Sequence, residues 1–174
     1  MIKHVWRVVV LFGVATLSGC KEEGAAPVAP TPAEETAAVA ADVAPDNVQP
    51  KVVVYKSASC GCCATWVEHM QSHGFPVEVH DVDDLSPIKE RNGIPAAMGS
   101  CHTAEVGGYF IEGHVPATEV QRLLAEKPQA KGLTVPGMPI GSPGMEQGDQ
   151  VEAYEVHLLH EDGTTSVYAK YPRP

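Results

Sequence analysis

Three thiols fall within four residues at Cys60-Gly61-Cys62-Cys63. They follow the apolar run Val52-Val53-Val54-Tyr55 and precede a segment with helical periodicity. Cys60 and Cys63 have the Cys-x-x-Cys spacing of a redox dithiol, and Cys62 is one thiol more than that chemistry needs. Thiolates packed this closely can also bridge soft metal ions, because each sulfur has lone pairs for more than one ion. The chain must therefore present a strand-to-helix turn that serves either disulfide exchange or a soft-metal site.

Around that turn the pattern predicts a buried strand over 51–56 and a helix running to residue 73, ended by Gly74. Cys63, Val67 and Met70 fall on one face of the helix, and Cys62, Trp66, His69 and His73 on the adjacent face. A second strand is expected over 76–82 with Val77 and Val79 inward. A short helix starts at Ser86-Pro87 and stops at Gly93. Gly93-Ile94-Pro95 fits either a simple helix stop or a cis-proline segment beside the thiols. A hairpin follows over 101–106 and 109–114, turned on Gly107-Gly108. Pro116 then opens a helix carrying Val120, Leu123 and Leu124, closed by Lys127-Pro128. The expected fold class is α/β, with a thioredoxin-like mixed sheet flanked by helices. A Gly/Pro/Met loop over 131–150 and strands over 151–160 and 164–171 form a C-terminal extension. It has too little apolar pattern to fold alone and should pack on the domain.

The N-terminal stretch reads as an address. Lys3 and Arg7 precede an apolar run at 8–17 that is too short to span a bilayer comfortably. It ends in Leu17-Ser18-Gly19-Cys20, which resembles the lipobox of bacterial lipoproteins. Residues 1–19 are expected to be a signal peptide and Cys20 the site of lipid attachment. Lys21 after that Cys points, by the same resemblance, to the outer membrane. The Ala/Pro/Glu-rich stretch over 20–50 is expected to be a disordered tether. The expected domains are then 51–129, which binds metal, and the extension 130–174. The formal charge is −10 and becomes −12 once Lys3 and Arg7 leave with the signal peptide. So acidic a chain is not expected to bind nucleic acid.

In a two-residue hairpin Val106 faces Tyr109, and counting back along both arms sets Cys101 opposite His114. Both then lie at the sheet edge that carries the three-Cys turn. Met138 and Met145 sit on a loop able to fold over it. Thiolate, imidazole and thioether together favour Cu(I) over harder ions, and zinc would gain little from methionine. Each donor also has an ordinary reading: a plain disulfide for Cys60 and Cys63, a small buried hydrophobe for Cys101, gap-filling for the methionines, and a polar residue before a helix for His114. His69 and His73 suit a solvated helix face, and His157 and His160 an exposed strand. The force of the metal reading lies in soft donors converging on one edge.

Four separated motifs carry a family resemblance. They are Cys60-Gly61-Cys62-Cys63 with Trp66 and His69, Ser100-Cys101-His102-Thr103, Glu112-Gly113-His114-Val115-Pro116, and the loop over 136–145. In this order they resemble the CopG-type copper-resistance proteins of Gram-negative bacteria. The resemblance implies a thioredoxin-like domain whose extension helps bind metal, and a cysteine-bridged, multinuclear copper cluster. It also implies a periplasmic role interconverting Cu(I) and Cu(II), with copper ions and periplasmic copper-efflux components as partners. Carried over residue by residue, it implies Cys60, Cys62, Cys63 and Cys101 as cluster thiolates and His114 as a flanking ligand. Met138 and Met145 are assigned on their chemistry.

Three functions stay open at this point. One is a copper redox protein, and another a non-catalytic copper store or chaperone. The third is a thiol–disulfide oxidoreductase in which the catalytic pair is Cys60, which attacks, and Cys63, which resolves. In each the helix N-terminus lowers the Cys60 pKa below the free thiol's value of about 8.5. The extra Cys62 and Cys101 argue against a simple exchanger, since spare thiols would scramble its disulfide.

Overall fold

The computed structural model describes residues 48–172. The expected signal peptide, the lipid-bearing Cys20 and nearly all of the tether lie outside the described residues.

Three β-branched residues and a tyrosine open β1 (Val52–Lys56). A short turn then leads into α1 (Gly61–Ser72), whose Cys63, Trp66, Val67 and Met70 are buried at positions i, i+3, i+4 and i+7. The helix returns the chain to β2 (Val77–Asp81), parallel to β1. The short helix α2 (Ser86–Arg91), with Pro87 in its first turn, and a 3-10 turn at Ala96–Met98 lead to β3 (Thr103–Val106) and β4 (Tyr109–Glu112). Val106 pairs with Tyr109 as expected. Gly107 (φ 57°) and Gly108 (φ 89°) hold the left-handed conformations of a two-residue turn. Helix α3 (Ala117–Glu126) starts after Pro116 and ends where Lys127 turns left-handed at φ 48°, just before Pro128.

The sheet order is β2-β1-β3-β4-β5-β6-β7, where β5 is Gly132–Thr134, β6 Tyr154–Leu159 and β7 Thr165–Tyr171. The order and directions of the first four strands are compatible with a thioredoxin-like domain. A single cross-strand row, Val54, Ala104, Ile111, Leu133 and Leu158, runs through five strands. It belongs to one core with Trp66, Met70, Val120 and Leu123 from α1 and α3. The alternate residues Thr103, Glu105 and Glu112 meet α2 through Lys89 and Arg91.

Several expectations need correction. The segment after residue 131 is not loop throughout: β5 pairs parallel with β4 and antiparallel with β6. It is only three residues long, and its burial supplies what its pattern lacks. The extension therefore joins the sheet itself. Buried Leu133, Val156, Leu158 and Leu159 each contribute on the order of 1.5–3 kcal/mol. Its outer hairpin is tied to α3 by polar and aromatic contacts. Tyr171 donates to Glu119 at 2.6 Å, Arg122 donates to the Tyr168 carbonyl at 2.8 Å, and the Arg122 guanidinium lies 3.8 Å from the centre of the Tyr168 ring. Val79, expected inward, is 40% exposed, because β2 is an edge strand that α1 only partly covers. The Ile94–Pro95 bond is trans, and Pro95 leads into the 3-10 turn. No helix among the described residues is long and apolar enough to cross a membrane.

Candidate metal centre

The chain leaves β1 through a turn in which Cys60 N–H donates to the Ser57 carbonyl at 3.0 Å. Cys60 caps α1 in an extended conformation (φ −79°, ψ 97°), with no side-chain capping bond. Its sulfur is joined in a disulfide to Cys63, across a Cα–Cα separation of 5.4 Å. Cys62 and Cys101 are free thiols.

Cys101 arrives from the other side, on the short connection before β3. Here a buried ion pair does the positioning. Glu112 at the end of β4 is fully buried and paired with Lys89 of α2. Glu112 accepts from Ser100 N–H at 2.6 Å and from the Thr103 hydroxyl at 2.6 Å, while Lys89 donates to the Ser100 carbonyl at 3.1 Å. Both backbone groups of Ser100 are thereby held, and with them the orientation of the next residue. The strands of the hairpin end at Thr103 and Glu112, two residues short of the expected limits. Cys101 and His114 nevertheless still meet: Gly113 N–H donates to the His102 carbonyl at 3.0 Å, and Cys101 Sγ lies 3.1 Å from His114 Nε2.

The four sulfurs of Cys60, Cys62, Cys63 and Cys101 lie within 4.8 Å of one another. Cys60 and Cys62 are 3.5 Å apart, and Cys63 and Cys101 3.4 Å. Burial, reinforced by the neighbouring Cys62, pushes the Cys101 thiol up to about 12. It is thus a neutral S–H unless a cation replaces the proton. Burial holds His114 below its ordinary value, and so neutral. Its Nδ1–H donates to the Pro143 carbonyl at 2.8 Å, which leaves the Nε2 lone pair facing Cys101. An imidazole oriented by a backbone carbonyl, with the other nitrogen bare, has the arrangement of a metal ligand.

The covering loop is fitted closely. Gly144 (φ +85°) approaches α1 so nearly that a Cβ there would stand 2.7 Å from the Cys62 carbonyl and 2.9 Å from Trp66 N. Met145 follows it, half-buried, and Met138 is 51% exposed on the outer arm. That arm is tied to the Cys101 connection by the Ser100 hydroxyl, which donates to the Gly137 carbonyl. The structure thus brings together Cys60, Cys62, Cys63, Cys101 and His114, and sets the two methionines on the loop beside them.

Two histidines have roles that the pattern did not reveal. His102 is fully buried, its ring centroid 4.5 Å from that of Trp66 and 5.1 Å from that of His114. Its Nδ1 lies 3.4 Å from Cys101 Sγ, and its Nε2 has no hydrogen-bond partner. Burial drives its pKa far down, so a neutral imidazole backs the thiols. The one available signal was its place in the strand's alternation, on the side of Ala104. His69, expected on a solvated face, is half-buried and accepts a hydrogen bond from Ala117 N–H. It caps α3. Elsewhere, a groove of about 840 Å³ lined by Gly107, Tyr109, Leu124 and Lys127 lies at the far end of the hairpin, away from the thiols.

Residues 98–145, which span Cys101, His114 and both loop methionines, match the family described as "Protein of unknown function, DUF411". No curated protein matches the chain. Two solved structures do. "Copper resistance protein copG- Form 2" is 47% identical, with a TM-score of 0.69, over 71% of this chain and 99% of that one. "Copper resistance protein copG- Form 1" is 46% identical, with a TM-score of 0.68, over 72% and 99%. Identity of this order over a common fold, with the clustered cysteines inside it, places the chain in the family of the CopG copper resistance proteins.

Proposed function

We propose that this protein binds several copper ions at Cys60, Cys62, Cys63, Cys101 and His114 and interconverts Cu(I) and Cu(II) in copper resistance. The observation that carries the reading is the packing of four cysteine sulfurs within 4.8 Å of one another, with His114 Nε2 at 3.1 Å from one of them. Donors so soft and so close select Cu(I) over harder ions. Met138 and Met145 are additional donors on the covering loop. Copper is the protein's cargo and substrate in this reading. The protein works in the periplasm, anchored to the outer membrane through lipid on Cys20, beside the copper-efflux machinery. Copper titration of the reduced protein, followed by mass spectrometry of the intact complex, tests it. More than one copper per chain is expected. Saturation at a single ion, or retention of zinc in competition, defeats the cluster.

The disulfide at the start of α1 favours a second reading, thiol–disulfide exchange with Cys60 as the attacking sulfur. Cys60 is half-buried and Cys63 fully buried, the usual division between an attacking and a resolving thiol.

A further inference from the structure

We propose that the Cys60/Cys63 dithiol is the electron donor to copper: two Cu(II) ions each take one electron from it, its sulfurs close into the disulfide of this structure, and Cys62, Cys101 and His114 keep Cu(I). This rests on the copper-binding reading above and adds the source and direction of the electrons.

The disulfide joins two of the four thiols and leaves a free thiol against each of its sulfurs. Cys62 lies 3.5 Å from Cys60, and Cys101 3.4 Å from Cys63. Were all four cysteines ligands alone, closing a disulfide would only remove half of them. Here the remaining half is still a site. Cys62 and Cys101 stay within 4.8 Å of each other, and the bare Nε2 of His114 is 3.1 Å from Cys101. Two thiolates and an imidazole suit Cu(I), which accepts few and soft ligands, far better than Cu(II). A site that binds the reduced ion more tightly pulls electrons towards copper.

The redox change needs no rearrangement of the helix. The Cys60 and Cys63 Cα atoms are 5.4 Å apart, within the span of about 4.4–6.8 Å that disulfides occupy. The spacing is set by the backbone at the start of α1, where Cys60 is the cap and its carbonyl accepts from Ala64 N–H at 3.2 Å. The balance is complete without another reactant: two thiolates lose one electron each and form one S–S bond, and two Cu(II) become two Cu(I). Where the thiols begin protonated, two protons leave to solvent. Fully buried Cys63 makes Cys60 the sulfur that an external dithiol reaches when the site is reset, with Cys63 as the leaving group.

The full chain, reduced and metal-free under inert gas, is mixed with aqueous Cu(II) alone. Loss of the Cu(II) paramagnetic signal is followed alongside alkylation of each cysteine. The expected result is reduction of about two Cu(II) per chain. Cys60 and Cys63 become protected as one disulfide, while Cys62 and Cys101 react once a chelator has stripped the Cu(I). The Cys60→Ser/Cys63→Ser double variant should leave the Cu(II) signal in place, whereas the Cys62→Ser/Cys101→Ser double variant, lacking the ligands that favour Cu(I), should reduce less Cu(II) and surrender its Cu(I) at once to the chelator. The proposal is overturned if the Cu(II) signal persists, or if the new disulfide maps to Cys62, to Cys101 or between chains. Adding Cu(I) directly separates the two readings. Retention of Cu(I) without reduction of Cu(II) overturns this inference and leaves copper binding standing; failure to retain added Cu(I) overturns copper binding itself.

Discussion

Ala117 donates its backbone N–H to His69 Nε2 at 3.0 Å, so the first turn of α3 is capped by a side chain from α1. The helix has no side-chain cap of its own, since Pro116 occupies that position. The His69 bond therefore satisfies a donor that would otherwise be unpaired and ties the two helices that cover the core.

A pH dependence follows. Burial, the neighbouring His73 and, in opposition, Glu146 together lower the His69 pKa from its ordinary 6.5 to about 4. Between those values the unfolded chain holds more protons than the folded one. The contribution is full above pH 6.5 and is lost as pH falls towards 4. His69→Gln keeps an acceptor for Ala117 but does not titrate. Urea midpoints measured at pH 7.5 and pH 4.5 should differ less for the variant than for the parent. An equal difference in the two proteins sinks this account. His69→Ala, which removes the acceptor, should cost about 1 kcal/mol at pH 7.5.

Arg122, paired with Glu119 on its own helix α3, reaches the outer hairpin through the ring of Tyr168 and the Tyr168 carbonyl, which it meets at 2.8 Å. Arg122→Ala should destabilise the protein by about 1–3 kcal/mol, with the effect concentrated in β7. Hydrogen exchange should quicken over Thr165–Tyr171 well before it does in β1. Uniform quickening across the sheet would mean that the hairpin is held by its strand pairing alone.

Gly144→Ala sets a methyl group against the Cys62 carbonyl and the backbone of Trp66, at a φ that L residues avoid. The loop must lift, and the Pro143 carbonyl then loses His114 Nδ1. We expect copper affinity to fall about 10–100-fold, the range for losing an outer-shell partner of a ligand. Folding stability should change by only about 1–2 kcal/mol. Competition with a Cu(I) chelator measures the first and urea unfolding the second. Unchanged affinity would show that the loop does not orient His114.

Cys62→Ser separates the two readings of the thiol cluster. It leaves the Cys60–Cys63 pair intact and removes the thiol that disulfide exchange does not use. A copper site should lose bound metal and cellular copper tolerance, because a hydroxyl is too hard to replace a bridging thiolate. An exchanger should keep its activity or gain some. Full copper loading of the variant would favour the exchanger.

How far the sequence was legible depended on whether the signal was local. The Cys101–His114 encounter could be reached by counting from Gly107-Gly108, because hairpin register follows from the turn. The stripe of Cys63, Val67 and Met70 could be read from helical period, but Trp66, expected on the adjacent face with His69 and His73, proves fully buried because α3 and the covering loop close over that side. Strand β5 could not be read, because three residues carry no period and its partners lie in β4 and far along in β6. The Lys89–Glu112 pair and the His69 cap join side chains from separate elements, and nothing in the local pattern of either partner marks the other. His102 was hidden by position: it precedes β3, and neither its packing on Trp66 nor its place beside Cys101 and His114 follows from the local pattern.

The place of β5 between β4 and β6 means that the C-terminal extension cannot be trimmed away as an accessory. A chain cut before residue 131 would end its sheet at β4, whose Phe110, Ile111 and Glu112 face Gly132, Leu133 and Thr134 in the intact protein. Their edge N–H and C=O groups would stand open beside Ile111, a side chain now fully buried. Such an edge is a template for the strand of another molecule. Proteolysis or premature termination in that region would therefore yield self-associating fragments in place of a smaller working domain.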